Sequence, residues 1–190
     1  MSAVPVLKYS VDEYLEMEEK SLEKHEFYQG EIFAMAGGSI PHNQIIKNSL
    51  FSVEEHLRKT DKCQTFPSDQ KIHCTTNSLF TYPDLSIVCG KIETLANHKD
   101  IITNPSVLLE VLSPSNQDYD RGSKFKLYRD IPSLKEYIII SSTEILVEKY
   151  DKQVDGSWVL HVYGEADNFS IPSIDMNIDV KVLYRNVEFE

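Results

Sequence analysis

An acidic residue inside a nearly continuous apolar run is the first candidate for chemistry in this sequence. Residues 106–112 are apolar apart from Glu110 and the leading serine. A buried charge is costly unless it is paired or binds a metal, so we expect Glu110 to have a partner. Asp84 follows Pro83 at the opening of another apolar run, and proline is tolerated where a strand begins. If the two runs are neighbouring strands, the two carboxylates meet at one rim of a sheet.

Two carboxylates at one rim predict a site for a hard divalent cation. Mg²⁺ binds through one or two carboxylates, keeps several waters and takes further ligands from a substrate phosphate. Such an ion activates a water for hydrolysis, and another group must position that water. Lys124 and Tyr128 are four residues apart in a predicted short helix, so they share one face of it. The long side chain of Lys124 can bring its ammonium group to the same rim.

Strands and helices alternate along the chain in a way that predicts a mixed α/β fold. The predicted strands are residues 63–74, 82–89, 106–112, 136–140 and 180–184. The predicted helices follow a capping box at Ser10, begin at Pro41, and span residues 123–130. Glycine turns predict hairpins around Gly30 and around Asp155-Gly156. Since the sequence contains no repeat and no long linker, residues 1–190 are predicted to form a single domain.

The charge balance limits which partners the protein can have. The chain has 19 Lys and Arg against 30 Asp and Glu, a net charge of −11. Proteins that coat nucleic acid need clustered basic residues, so broad, non-specific DNA coating is excluded. Residues 121–135 are locally basic, with Arg121, Lys124, Lys126, Arg129 and Lys135 against Asp130. This segment favours weak DNA binding that depends on metal and on salt.

The cysteines and the N-terminus predict a cytoplasmic protein. The three cysteines form no Cys-x-x-Cys pair, which is typical of reduced thiols rather than a secreted disulfide framework. The first ten residues lack the basic and apolar regions of a signal peptide. No apolar stretch approaches the ~20 residues that span a bilayer, so no membrane partner is expected.

Several short motifs, in this order along the chain, resemble the Uma2 family (formerly DUF820) of restriction endonucleases in the PD-(D/E)XK nuclease superfamily. The central motifs are Pro83-Asp84, Glu110-Val111-Leu112-Ser113-Pro114-Ser115, Asp120-Arg121-Gly122-Ser123-Lys124, Leu127-Tyr128-Arg129 and Glu136-Tyr137. The upstream motifs are His25-Glu26, Gly30-Glu31-Ile32, Met35-Ala36-Gly37, His42-Asn43 and Ser68-Asp69. The resemblance covers residues 10–145, and the C-terminal hairpin region is less diagnostic.

The resemblance implies a restriction-endonuclease-like core: a mixed β-sheet flanked by helices, with an extra N-terminal helix and hairpin and a C-terminal hairpin. Asp84 and Glu110 would hold Mg²⁺ or Mn²⁺ together with the Val111 carbonyl, and Lys124 would position the attacking water on DNA. Leu112 occupies the place where the superfamily pattern has its lysine. Lys124 matches members in which that lysine has moved to the next helix.

Secondary candidates and alternative functions complete the expectations. The further candidates for the same cleft are Glu31, His42, Asp69 and Tyr128. A homodimer is expected, because many double-strand cutters need two active sites. One alternative is a catalytically inactive relative that uses the fold for binding or assembly. Another is a glycosidase-like hydrolase that uses Asp84 and Glu110 as acid and base without a metal.

Overall fold

The computed structural model describes residues 7–60, 62–113 and 119–189, with only the backbone of residues 119–121. Pro114 and Ser115 of the resemblance motif lie outside the described residues. The helices are α1 (Val11–Lys20), α2 (Ile40–Leu57), α3 (Phe125–Tyr128) and α4 (Val180–Leu183), with a π-helix at Tyr119–Lys124 and a 3₁₀ turn at Pro172–Ile174. None of the described helices is long and apolar enough to cross a membrane.

The strands form two mixed sheets and a two-stranded ribbon. The strands are β1 (His25–Tyr28), β2 (Glu31–Ala34), β3 (Cys63–Pro67), β4 (Lys71–Cys74), β5 (Leu79–Thr81), β6 (Leu85–Cys89), β7 (Thr94–Leu95), β8 (His98–Ile102), β9 (Val107–Leu112), β10 (Glu136–Ser141), β11 (Val147–Lys152), β12 (Trp158–Tyr163), β13 (Asn168–Ile171) and β14 (Met176–Asp179). Sheet A has the order β2-β1-β5-β4-β8-β7, and sheet B has the order β12-β11-β10-β9-β6-β3. β13 and β14 pair with each other.

The mixed α/β prediction is confirmed, but the prediction of one sheet flanked by helices is wrong. Each six-stranded sheet has a single parallel pair, β4 with β8 in sheet A and β9 with β10 in sheet B. The predicted strand 63–74 is broken by a turn in which the Gln70 N–H donates to the Pro67 carbonyl at 3.0 Å. Because of this turn, β3 joins sheet B and β4 joins sheet A.

The described residues stack in layers around three apolar clusters. Tyr14 of α1 packs with Phe27 and Phe80 on the outer face of sheet A. Sheets A and B and α3 share a second cluster that contains Ile72, Leu108, Leu112, Leu127 and Tyr137. α2, the β13–β14 ribbon and α4 cover the other face of sheet B. The residues between the sheets are therefore shielded on both sides.

Other predicted elements differ in detail. The hairpins at Gly30 and at Asp155-Gly156 are confirmed as β1–β2 and β11–β12. Residues 180–184 were predicted as a strand, which is wrong: they contain α4, because the Asp179 carboxylate accepts the Lys181 N–H at 3.0 Å and caps a helix. The predicted helix 123–130 begins instead as a π-helix and continues as α3.

The prediction of reduced thiols is wrong for two of the three cysteines. Cys63 of β3 and Cys89 of β6 are directly opposite in the antiparallel register and form a disulfide. Cys74 is a buried free thiol.

Candidate active site

A buried polar cluster lies between the two sheets and contains residues from both. Neighbouring residues of a strand point to opposite faces, so one residue of each adjacent pair can turn inward. Glu26 of β1 and Thr81 of β5 turn toward sheet B, and the Thr81 hydroxyl donates to Glu26 Oε1 at 2.5 Å. Glu110 is an inward-facing residue of β9. The two glutamates approach the same space from opposite sheets.

Lys124 joins these two glutamates. Its ammonium nitrogen lies 3.1 Å from Glu26 Oε1 and 3.0 Å from Glu110 Oε1. Lys124 is 5% exposed, Glu26 7% and Glu110 4%, so the ion pairs are largely shielded from water. Lys124 is the last residue of the π-helix. The expectation that Lys124 approaches Glu110 is confirmed, and Lys126 is exposed.

Tyr128 completes the cluster from α3. Its hydroxyl donates to Glu110 Oε1 at 2.7 Å and lies 3.1 Å from the Thr81 hydroxyl. Complete burial, and next the charge of Glu110, raise the pKa of Tyr128 well above its ordinary value. Tyr128 is therefore a neutral donor over the physiological pH range.

Asp84 stands beside this cluster at the rim of sheet B. In the antiparallel register Leu85 pairs with Leu109, so one further step places Asp84 opposite Glu110. Asp84 Oδ2 accepts the Val111 N–H at 2.8 Å. The N–H and C=O of one strand residue face the same side, so the Val111 carbonyl lies on the edge of β9 that faces β6.

His42 of α2 approaches Asp84 from the other side. Its Nε2 lies 3.4 Å from Asp84 Oδ2, while its buried Nδ1 has no hydrogen-bond partner among the described residues. A Cβ at position 38 would lie 2.2 Å from His42 Nδ1, so Gly38 permits this close approach. The secondary candidates His42 and Tyr128 are thus both brought to the Asp84–Glu110 rim.

The other two secondary candidates lie elsewhere. Glu31 is half-buried at the start of β2 and has no described contact with the cluster. Asp69 was expected inside a strand, but it is in the turn before β4, where it pairs with Lys24 at 3.0 Å and is 89% exposed. Glu26 is the residue of the first hairpin that the sequence reasoning missed. Its strand, His25–Tyr28, is short and half polar, so no apolar run marks Glu26 in the way that one marks Glu110.

The oxygen donors at the rim suit a hard cation. Among the described residues no group of three or more His, Cys, Asp and Glu side chains is arranged to hold a metal. The donors at this rim are instead two carboxylates, Asp84 and Glu110, and the Val111 carbonyl. Oxygen donors of this number and type fit Mg²⁺, which completes its shell with waters and substrate oxygens.

Comparisons with known proteins identify relatives of this chain. The family model Uma2, described as "Putative restriction endonuclease", matches residues 11–181. The uncharacterized protein slr1290 of Synechocystis sp. is 38% identical over 187 residues, which cover 98% of this chain and 97% of that protein. The uncharacterized protein sll1609 of the same organism is 37% identical over 150 residues, covering 78% of this chain and 83% of that protein.

A solved structure has the same fold. The crystal structure of a putative nuclease belonging to DUF820 from Anabaena variabilis superposes with a TM-score of 0.77 and covers 93% of this chain and 97% of that chain. At 17% sequence identity this likeness concerns the fold alone. The match of the family model over most of the chain, with the ordered motifs around Asp84, Glu110 and Lys124, is decisive: the chain belongs to the Uma2 family.

Proposed function

We propose that the protein is a metal-dependent endonuclease that hydrolyses phosphodiester bonds of DNA. The observation that carries this proposal is the position of Lys124, held between Glu26 and Glu110, while Asp84 bonds to the backbone of Val111, the residue after Glu110. A structural salt bridge needs one carboxylate, whereas this lysine contacts two among the described residues, and a third carboxylate, that of Asp84, bonds to Val111 beside Glu110. Three carboxylates near one ammonium group leave negative charge in excess, which a bound metal ion would offset, and this supports a metal-binding role.

The residues divide into metal ligands and positioning groups. Asp84, Glu110 and the Val111 carbonyl would hold Mg²⁺ or Mn²⁺. When bound, the ion would lower the pKa of a coordinated water and offset negative charge on the phosphate. The Lys124 ammonium would donate to the attacking water or to a phosphate oxygen. The backbone N–H of Val111 already fixes one oxygen of Asp84, so its carboxylate is pre-oriented.

Glu26 and Tyr128 support the reacting groups without contacting the substrate. Glu26 holds the Lys124 ammonium from the side opposite Glu110, and Thr81 orients Glu26. Tyr128 donates to Glu110 Oε1, the same oxygen that Lys124 contacts. Partners of this second layer fix the geometry of metal ligands and typically affect activity about 10–100-fold.

Exposed basic residues of the segment that contains Lys124 would contact the DNA backbone. Lys126, Arg129 and Lys135 are exposed, while Lys124 is buried in the cluster. Arg121, the fifth basic residue of this segment, has a side chain outside the described part of the chain. A few exposed cations on a protein of net charge −11 predict weak binding with a shallow salt dependence.

A plasmid cleavage assay tests the proposal. Supercoiled plasmid is incubated with the protein and Mg²⁺ or Mn²⁺, beside Asp84→Asn and Glu110→Gln. Glu31→Gln is the matched control, because Glu31 has no described contact with the cluster. We expect cleavage by the wild type and the control, and loss in the other two and in EDTA. Equal cleavage by all four proteins would refute the assignment, and activity that survives EDTA would favour the metal-independent carboxylate pair.

A second candidate function is a catalytically inactive binding or assembly module. It is favoured by the same ion pairs, because Lys124 and Tyr128 already satisfy Glu110 Oε1 without a metal. Calorimetric titration with Mn²⁺ separates the two candidates. Heat of binding that disappears in Glu110→Gln supports the nuclease, and no heat in the wild type supports the inactive module.

A further inference from the structure

The outer edge of sheet B is a strand without the usual protection against pairing. Within the described part of the chain, β12 pairs with β11 on one side only and ends the order of its sheet. Its sequence, Trp-Val-Leu-His-Val-Tyr, contains no Lys, Arg, Asp, Glu or Pro, and its register with β11 is continuous over all six residues. Val159, Leu160 and Val162 are 40%, 45% and 58% exposed. Natural edge strands are normally protected by charge, proline, bulges or a covering element.

The other edges of the two large sheets each carry such a device. β3, the opposite edge of sheet B, ends in Pro67, which lacks an N–H. In sheet A, β2 begins with the charged Glu31, and β7 is only two residues long with an irregular register. β12 therefore differs from the three other edges in having six residues and none of these devices.

The backbone groups of β12 that point outward can be identified from its pairing. Gln153 N–H donates to the Ser157 carbonyl at 2.7 Å, so these two residues form a hydrogen-bonded pair. Hydrogen-bonded and non-bonded pairs alternate along an antiparallel ladder, so residues 159, 161 and 163 bond to β11. The N–H and C=O groups of Trp158, Leu160 and Val162 consequently face away from the sheet.

We propose that β12 pairs with β12 of a second copy of this chain, antiparallel about a two-fold axis through Leu160. In this register Leu160 of one copy lies opposite Leu160 of the other. Trp158 of each copy lies opposite Val162 of the other copy. All three outward-facing residues then form hydrogen-bonded pairs, each exchanging two bonds. A shift by one pair in either direction leaves one of the three without a partner. Aromatic and branched aliphatic side chains in cross-strand pairs add stability to such a ladder.

A second copy suits this edge better than a charged partner. Each chain has a net charge of −11, so close contact between the charged surfaces of two copies is unfavourable. An uncharged surface is the least unfavourable place for two copies to meet. β12 offers such a surface, and its hydrogen-bonding pattern is complementary to itself. Antiparallel pairing about a two-fold axis also uses the edge completely, so it closes as a dimer rather than growing into a fibre. The inference goes beyond the proposed nuclease function and does not depend on it.

Sedimentation equilibrium on the full chain tests the proposal. Leu160→Pro removes an outward N–H that β11 does not use, and Val162→Lys adds charge to the edge. Val154→Lys adds the same charge in the adjacent turn, where Val154 is fully exposed. We expect a wild-type mass of twice 21.8 kDa, an unchanged control, and a dimer dissociation constant raised at least about tenfold in both edge variants. Circular dichroism verifies that each variant is folded.

Disulfide cross-linking tests the register independently. Hydrogen-bonded residues opposite each other have Cα atoms about 5.5 Å apart, within the range that a disulfide spans. Leu160→Cys should therefore cross-link to itself on oxidation, while His161→Cys should not, because its counterpart lies two residues away along the ladder. A monomeric wild type, a dimer that both edge variants leave intact, or preferential cross-linking of His161→Cys would each overturn the proposal.

Discussion

Two buried glutamates, Glu18 and Glu110, lie on opposite sides of sheet A in polar clusters of different character. Glu18 of α1 is 8% exposed and accepts the His25 N–H at 3.0 Å and the Tyr82 hydroxyl at 2.7 Å. Its second oxygen lies 3.0 Å from His25 Nδ1. Lys71 lies nearby, 5.6 Å from the ring centre of Tyr82, and has no hydrogen-bond acceptor among the described residues.

The difference shows that burial of an acid does not by itself identify a catalytic site. A cleft of about 840 Å³ adjoins the Glu18 cluster and is lined by Glu18, Lys71 and Tyr82. Cleft size would therefore point to the α1 side. The cluster around Glu110 instead combines two carboxylates, an ammonium and two hydroxyls from separate elements, beside a third carboxylate on Asp84. We assign the catalytic site to the converging charges around Glu110 rather than to the cleft beside Glu18.

The largest expected effect comes from exchanging each acid for its amide. Glu110→Gln removes a proposed metal ligand and should lower the rate of plasmid cleavage on the order of 10³-fold. Glu18→Gln removes a charge bonded to His25 and Tyr82 and should cost about 1–3 kcal/mol of unfolding free energy, with cleavage unchanged. Cleavage rates and urea unfolding of Glu110→Gln and Glu18→Gln measure which acid supports catalysis and which supports stability. A Glu18→Gln protein that is folded but inactive would reverse the assignment.

The second contrast concerns the two buried lysines. Lys124→Met leaves Glu26 and Glu110 without their shared cation, so it should reduce cleavage about 10²-fold or more and cost about 3–5 kcal/mol. Burial lowers the pKa of Lys71 against the opposing effect of Glu18 and Asp100. Lys71→Met relieves that desolvation, so stability should change by less than about 1 kcal/mol. Thermal unfolding and cleavage assays of both variants measure these effects. Equal losses of stability and cleavage in Lys124→Met and Lys71→Met would contradict the different roles assigned to the two lysines.

Glu26 should have a smaller effect on cleavage than Glu110. Glu26→Gln keeps the shape and the Thr81 contact but removes one of the two charges that hold Lys124. We expect a 10–100-fold loss in kcat with little change in KM, because Glu26 positions a group without touching DNA. Glu26→Asp should restore part of the rate by restoring the charge. A loss confined to KM, or no difference between the two variants, would remove Glu26 from the mechanism.

The smallest expected contrast appears at alkaline pH. Burial, followed in each case by nearby carboxylates or tyrosines, raises the pKa of Tyr14, Tyr82 and Tyr128. Above the ordinary tyrosine pKa of about 10, the unfolded chain loses these protons while the folded chain keeps them, so stability falls as pH rises. The slope is at most about 1.4 kcal/mol per pH unit for each tyrosine.

The Glu18 cluster holds two of these tyrosines, and the Glu110 cluster holds one. A Tyr14→Phe and Tyr82→Phe double variant should therefore flatten the alkaline decline more than Tyr128→Phe does. Urea unfolding at pH 8, 10 and 11 gives the slope of the unfolding free energy against pH for the wild type, the double variant and Tyr128→Phe. If Tyr128→Phe flattened the decline more than the double variant, the burial of the two clusters would have to be reassessed.

Much of the candidate site could be predicted because its signals are local. Glu110 in an apolar strand, Asp84 after Pro83, and the four-residue spacing of Lys124 and Tyr128 are all visible within short segments. Glu26 was missed because its role depends on the contact between the β1–β2 hairpin and Lys124, which is 98 positions from Glu26 along the chain. Such long-range pairings are not encoded in local periodicity.

The fold shows the same limit. The apolar pattern of residues 63–74 fits one strand, and only the turn at Gln70 divides it between two sheets. Residues 180–184 have an alternating pattern typical of a strand, yet the Asp179 cap and packing of Val180 and Leu183 against α2 favour a helix. In both places tertiary packing decided between structures that the local pattern allows.

The measurement that tests the central claim most directly is a crystal structure of the protein soaked in Mn²⁺, with the ion located by anomalous scattering. We predict one ion at the rim of sheet B, shared by the carboxylates of Asp84 and Glu110, and its loss in Glu110→Gln crystals. An ion bound instead in the acidic cleft beside Glu18, or no ion at Asp84 and Glu110 at saturating Mn²⁺, would contradict the assignment.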